Sequence, residues 1–162
     1  MQLVNRLRQI ENGGRLWNIH RLKSEAHPPL CGAEGVYLSV HGQGGCKEEA
    51  ELLAEIACRR GWQVLSVDLP EHGGRRDGAP LLPWAAVPEL QAVDAYLRAH
   101  WRRVSLRATS IGAWLSLQSL GTVENCLLCS PLLDMKTMIT GMMAFGSFVI
   151  AVFALIFLFY TN

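Results

Sequence analysis

No aspartate, glutamate, lysine or arginine occurs between positions 138 and 162, and no histidine occurs after His100. Charge of one sign is lacking as well. Fifteen basic residues face 14 acidic ones for a net +1, which gives no reason to expect a nucleic-acid partner or an acidic substrate. Cysteine is sparse and unpatterned. Cys31, Cys46, Cys58, Cys126 and Cys129 are odd in number and lack zinc-type spacing, so they are read as reduced cytosolic thiols. Cys126 and Cys129 fall in one expected strand, where residues three apart face opposite sides. No metal and no cofactor is expected. The chain opens without a charged-then-apolar leader, so no cleaved signal peptide is expected. Its 162 residues amount to one domain's worth of chain.

What is present is organised around residues 103–117, RVSLRATSIGAWLSL. A β-branched and apolar run stops at Thr109-Ser110-Ile111-Gly112-Ala113, and a helical pattern begins at once. Strand, sharp turn carrying a serine, then helix is the pattern of a nucleophile elbow. The helix N-terminus beneath the turn presents free N–H groups to an anion forming there. Gly112 and Ala113 are small where strand and helix approach, although Ala108 stands at the first glycine of the G-x-S-x-G pattern. An N-cap serine is the plainer alternative.

The remaining chain frames this stretch. Leu16 to His20 alternates apolar and polar residues and reads as an edge strand entered through a turn at Asn12-Gly13-Gly14. Residues 26–35, with two prolines and two glycines, read as loop. A buried strand at 35–41 runs into Gly42-Gln43-Gly44-Gly45, and a helix follows over 47–60 with Ala50, Leu53, Ala54 and Ala57 on one face. A second strand at 62–68 leads into Leu69-Pro70-Glu71-His72-Gly73. Val87, Leu90, Val93 and Leu97 mark the next helix. After the elbow strand (103–108) and its helix, a last strand at 125–130 ends in Pro131-Leu132-Leu133-Asp134. The alternation β-α-β-α-β-α-β with near-continuous apolar strands calls for an α/β fold, a parallel sheet covered by helices on both faces. Chemistry in such sheets collects at the carboxyl ends of the strands, and each glycine-rich motif lies at one.

Three motifs in this order, HGQGG at 41–45, DLPEHG at 68–73 and TSIGA at 109–113, resemble the α/β-hydrolase superfamily, in particular the small bacterial serine hydrolases of dienelactone-hydrolase or esterase type. The resemblance covers residues 35–134. It implies that Ser110 is the nucleophile and that the backbone N–H groups of Gln43 and Ile111 form an oxyanion hole. By the same resemblance, His41 shapes its loop together with Gly42, Gly44 and Gly45, which let the backbone approach a substrate. His72 is read as a loop histidine supporting the sheet edge. Asp134 is a triad acid in an early position or, equally, a helix-capping aspartate. A plain glycine-rich β-α turn remains the alternative for HGQGG. The implied substrate is a small ester or other acyl compound.

The pattern breaks after the elbow. The family's chain order is serine, acid, histidine, yet no histidine follows Ser110, and a serine without a base is a weak nucleophile. The last strands and helices of the fold are also missing from the expected order, so the hydrolase part is read as truncated. In their place stands MITGMMAFGSFVIAVFALIFLFYTN. Its 25 uncharged residues suffice to cross a hydrocarbon core of ~30 Å at ~1.5 Å per residue, with Tyr160 placed like an interfacial aromatic. This tail resembles the first transmembrane helix of FtsX-like permease subunits of bacterial ABC transporters.

The expected organisation is therefore an N-terminal edge strand and loop (1–34), a truncated α/β-hydrolase domain (35–137) and a transmembrane helix (138–162). That makes a single-pass membrane protein with its hydrolase part cytoplasmic, and leaves the oligomeric state open. Two functions compete. One is a membrane-tethered serine hydrolase of ester or related acyl bonds, impaired by loss of its histidine. The other is a non-catalytic membrane-anchored remnant or fusion, including an interaction subunit in which the hydrolase-like part only binds.

Overall fold

The structure, a computed structural model, describes residues 3–12, 15–24 and 35–160, with backbone alone for the residues before 35 and after 152. It divides into two compact units, 1–131 and 132–162.

In the first unit, strands β1 (Leu3–Asn12), β2 (Arg15–Ser24), β3 (Gly35–Val40), β4 (Gln63–Val67), β5 (Arg103–Thr109) and β6 (Cys126–Cys129) form one sheet in the order β1-β2-β4-β3-β5-β6. The last four run parallel, with Val36 opposite Gln63 and Val104, and Leu106 opposite Cys126. β3 is central, and each connection between successive parallel strands carries a helix, as parallel pairing demands. These helices are α1 (Glu51–Cys58), α2 (Pro83–His100) and α3 (Ile111–Ser119).

Strand alternation assigns the two faces. Val36, Leu38 and Val40 of β3 pack with Leu65, Leu106, Leu90, Val93, Leu97 and Leu115 in the core beneath α2 and α3. On the opposite face Tyr37, Val64 and Trp62 pack with Ala50, Ala54 and Ala57 around α1. The expected α/β architecture with helices on both faces is thus observed, and Val36–Val40 and Val64–Val67 are adjacent parallel strands.

Differences lie at the margins. The alternating stretch Leu16 to His20 is a strand, but not an edge. It belongs to β2, which pairs with β1 on one side and β4 on the other, so β1 holds the edge. Leu3–Asn12 lacks clean alternation, which hid it from the sequence reading. The turn at residues 13–14 and the loop at 25–34 lie outside the described residues. The helix expected over 47–60 is a 3₁₀ turn, Lys47–Ala50, followed by α1.

The second unit contains α4 (Met135–Tyr160). It begins three residues earlier than the uncharged run because Asp134 caps it: the Lys136 and Thr137 N–H groups donate to Asp134 Oδ1 at 2.9 and 3.2 Å. Among the described residues, one helix is long and apolar enough to cross a membrane, with a mean hydropathy of 1.5 over Met135–Val152. Length and composition alone make that statement. Met142, Met143, Phe145, Phe148 and Ile150 are all exposed on it.

Candidate functional site at the strand-to-helix elbow

Ser110 sits between the last residue of β5 and the first of α3 with φ 49° and ψ −120°. For a residue with a Cβ this conformation costs about 1–3 kcal/mol and persists only where its surroundings impose it. They do so here through the backbone. Ser110 N–H donates to the Cys129 carbonyl at 3.1 Å, and its carbonyl accepts from Ala113 and Trp114 N–H at 3.0 and 3.3 Å. Ser110 occupies the N-cap position of α3, yet its side chain makes no capping hydrogen bond. Capping is therefore not what the hydroxyl does.

The elbow lies flush against the HGQGG loop. A Cβ on Gly112 would stand 2.1 Å from the His41 carbonyl oxygen and 3.0 Å from that of Val40. A Cβ on Gly42 would stand 3.3 Å from Ser110 Cβ. Glycine at both places is what lets α3 and the end of β3 meet. Ile111 opens α3, so its N–H is among the helix donors without an intrahelical partner.

His41 is 1% exposed, and both ring nitrogens are engaged. The Leu69 N–H donates to Nε2 at 3.0 Å, so the proton is on Nδ1, which donates to the Gly42 carbonyl at 2.8 Å. Burial holds this imidazole below the ordinary histidine pKa, against the opposing pull of the Gly42 carbonyl. The Gly42 carbonyl also accepts from Gly45 N–H at 3.1 Å. Because a trans peptide sets C=O and N–H in opposite directions, the Gln43 N–H points away from the imidazole. His72, also buried, lies with its ring 5.1 Å from that of His41, and its Nδ1 donates to the Pro70 carbonyl at 2.7 Å. The structure thus joins Ser110, Ile111, His41, Gly42 and, through the turn, Gln43, Gly44 and Gly45 at the carboxyl ends of β3 and β5. Asp134 belongs to the second unit. Its carboxyl is held below its usual range by the Thr137 hydroxyl and the amides of α4's first turn.

Sequence reasoning missed Lys47 and Asp68. The Asp68 side chain is wholly buried and pairs with Lys47 Nζ at 2.7 Å. Asp68 Oδ1 also accepts the Lys47 N–H at 2.8 Å, and Oδ2 accepts the Gly74 N–H at 2.9 Å. The signal available was an ionisable residue closing a buried apolar strand, at the head of the DLPEHG motif.

A sheet with four parallel strands, helices on both faces and a strained serine at the C-terminal end of its middle strands defines the α/β-hydrolase class of fold. The alpha/beta hydrolase family matches residues 38–161, and the chain belongs to that family. No curated protein matches it. Solved structures share the fold. A cold-adapted esterase from an Arctic intertidal metagenomic library superposes with a TM-score of 0.59 at 19% identity, covering 78% of this chain and 60% of that one. Est1E from Butyrivibrio proteoclasticus, bound to ferulic acid, gives 0.54 at 20% identity with 68% and 45% covered. Thermogutta terrifontis esterase 2, phosphonylated by sarin, gives 0.61 at 12% identity with 82% and 55% covered. The chain thus spans about half the length of these structures. The family match runs through α4 to residue 161, and none of these likenesses is to a permease.

Proposed function

We propose that this chain carries a serine-hydrolase site for small ester or related acyl substrates, with Ser110 as nucleophile and the N–H groups of Gln43 and Ile111 as oxyanion donors. The observation that carries this reading is Ser110 at φ 49° and ψ −120°, with no capping bond and with Gly42 packed on it. Such strain serves a reactive hydroxyl, half-buried here, better than it serves folding. The esterases among the similar structures agree with an ester substrate. Charge developing on the substrate oxygen would meet donors already fixed by the peptide geometry of the His41 loop.

Turnover is impaired in this reading. All five histidines, at 20, 27, 41, 72 and 100, precede Ser110, and both nitrogens of His41 are occupied. A site served by none of these histidines would retain only the oxyanion donors and binding, which leave a fraction of triad catalysis several orders of magnitude down. Asp134 as triad acid is not part of the proposal, because its carboxylate caps α4. The apolar helix is proposed to tether the chain to a membrane in a single pass, with the sheet unit cytoplasmic. No permease function is proposed.

Exogenous imidazole tests the reading by supplying the missing base. The full chain is expected to hydrolyse p-nitrophenyl acetate no faster than its Ser110→Ala variant. With imidazole added, it is expected to exceed that variant measured at the same imidazole concentration. Equal rates with imidazole would show that Ser110 is not a competent nucleophile. A Ser110-dependent rate without imidazole would show that the chain holds a base after all.

A further inference from the structure

The loop that bears Gln43 leaves β3 at His41 and enters the 3₁₀ turn at Lys47, and it is tied down at both ends. At the first end the neutral His41 ring bridges the Leu69 N–H and the Gly42 carbonyl. At the second, Lys47 is 7% exposed and its ammonium meets the buried Asp68 carboxylate at 2.7 Å. Glu48 reaches the same ammonium from the surface at 2.9 Å. Asp68 is also a hub for the opposite loop. Its Oδ2 takes the Gly74 N–H, and its backbone carbonyl takes Arg75 Nη1 at 3.2 Å. Arg75 in turn pairs with Glu89 of α2. The Asp68 carboxylate therefore joins the loop after β3 to the loop after β4, and the backbone carbonyl of the same residue reaches the flanking helix through Arg75.

We propose that Lys47 is a positioning residue, whose ion pair with Asp68 fixes the HGQGG loop against the DLPEHG loop and so holds the Gln43 N–H ready for the oxyanion at Ser110. The inference rests on the serine-hydrolase reading above for its chemistry, though not for the clamp itself. Burial alone would favour a neutral lysine, but the hydrogen bonds to Asp68 and Glu48 outweigh it and keep the group charged. A buried, hydrogen-bonded pair of this kind confers geometry more than stability, because desolvation offsets much of the attraction. Geometry is what an oxyanion hole requires, since its donors act only if fixed before charge develops.

The test measures phosphonylation of Ser110 by a fluorophosphonate in the presence of imidazole, separating the binding constant from the maximal inactivation rate. Backbone amide exchange at Gly45 and Leu69 is measured in parallel. In Lys47→Met the maximal rate is expected to fall at least about tenfold with the binding constant unchanged. The Gly45 amide, bonded to Gly42 and not to the ion pair, is expected to exchange faster. Lys47→Arg, which keeps the charge, is expected to restore both readouts to within about threefold of the native chain. If Lys47→Met does not fold, the Lys47→Met/Asp68→Asn double variant, which leaves no lone buried charge, takes its place with the same expectations. A folded variant with native inactivation rate and native Gly45 exchange would overturn the proposal, as would failure of Lys47→Arg to restore them. If the native chain takes no label, the hydrolase reading falls, and unchanged Gly45 exchange in the variant would then refute the clamp separately.

Discussion

Replacing Ser110 by glycine should make the protein more stable, which few deletions of a side chain do. The residue holds φ 49° and ψ −120°, a conformation that costs a residue with a Cβ about 1–3 kcal/mol. Glycine adopts it without steric cost and loses about 0.5–1 kcal/mol to its greater freedom when unfolded. The expected net gain is therefore about 0.5–2 kcal/mol over Ser110→Ala, which keeps the Cβ and hence the strain. Both variants lose the same hydroxyl, and that hydroxyl makes no capping bond whose loss would confuse the comparison. The backbone bonds to Cys129, Ala113 and Trp114 survive in both. Urea unfolding followed by tryptophan fluorescence is the appropriate assay. Trp17, Trp62, Trp84, Trp101 and Trp114 all lie in the sheet unit, so α4 contributes no signal. A Ser110→Gly protein no more stable than Ser110→Ala would refute the claim that the elbow stores strain.

Three further outcomes follow from the same geometry. Gly112→Ala puts a methyl group against two backbone carbonyls of β3 and should cost about 3 kcal/mol, whereas Gly141→Ala, facing open space in α4, should cost nothing measurable in the same fluorescence assay. His41 has a folded pKa below its unfolded one, so the unfolded chain binds the proton first. Its contribution to stability is complete above the ordinary histidine pKa and lost as pH falls below it, by up to about 1.4 kcal/mol per pH unit. Urea titrations at descending pH should show that slope, and His41→Asn should flatten it. β6 is the last strand of the sheet order and Leu127 is exposed on it. Leu127→Lys should therefore reduce self-association in detergent by light scattering while changing stability by less than about 0.5 kcal/mol.

The parallel core was legible because its strands are nearly continuous apolar runs ending in glycine-rich turns, and their spacing leaves room for one helix each. The strand-to-helix turn was legible for the same reason, but an N-cap serine fitted the sequence equally well, and it is the φ 49° and the missing capping bond that separate the two. The β1–β2 hairpin was only half visible: Leu16 to His20 alternates, but Leu3–Asn12 shows neither alternation nor a buried run. The ion pair of Lys47 with Asp68 was invisible for a different reason. It joins residues 21 positions apart, and periodicity carries no information about which buried carboxylate a distant lysine will meet. Asp134 illustrates the opposite case. Both of its possible roles were readable, and the capping bonds to Lys136 and Thr137 show which local structure its side chain completes.

The central claim is that Ser110 is a poised nucleophile, and intact-mass analysis of the folded full chain treated with a fluorophosphonate tests it most directly. The expected result is a single phosphonyl adduct that maps to Ser110, forms slowly, forms faster with added imidazole, and is absent from Ser110→Ala. A folded chain that takes no adduct at Ser110 even with imidazole would contradict it.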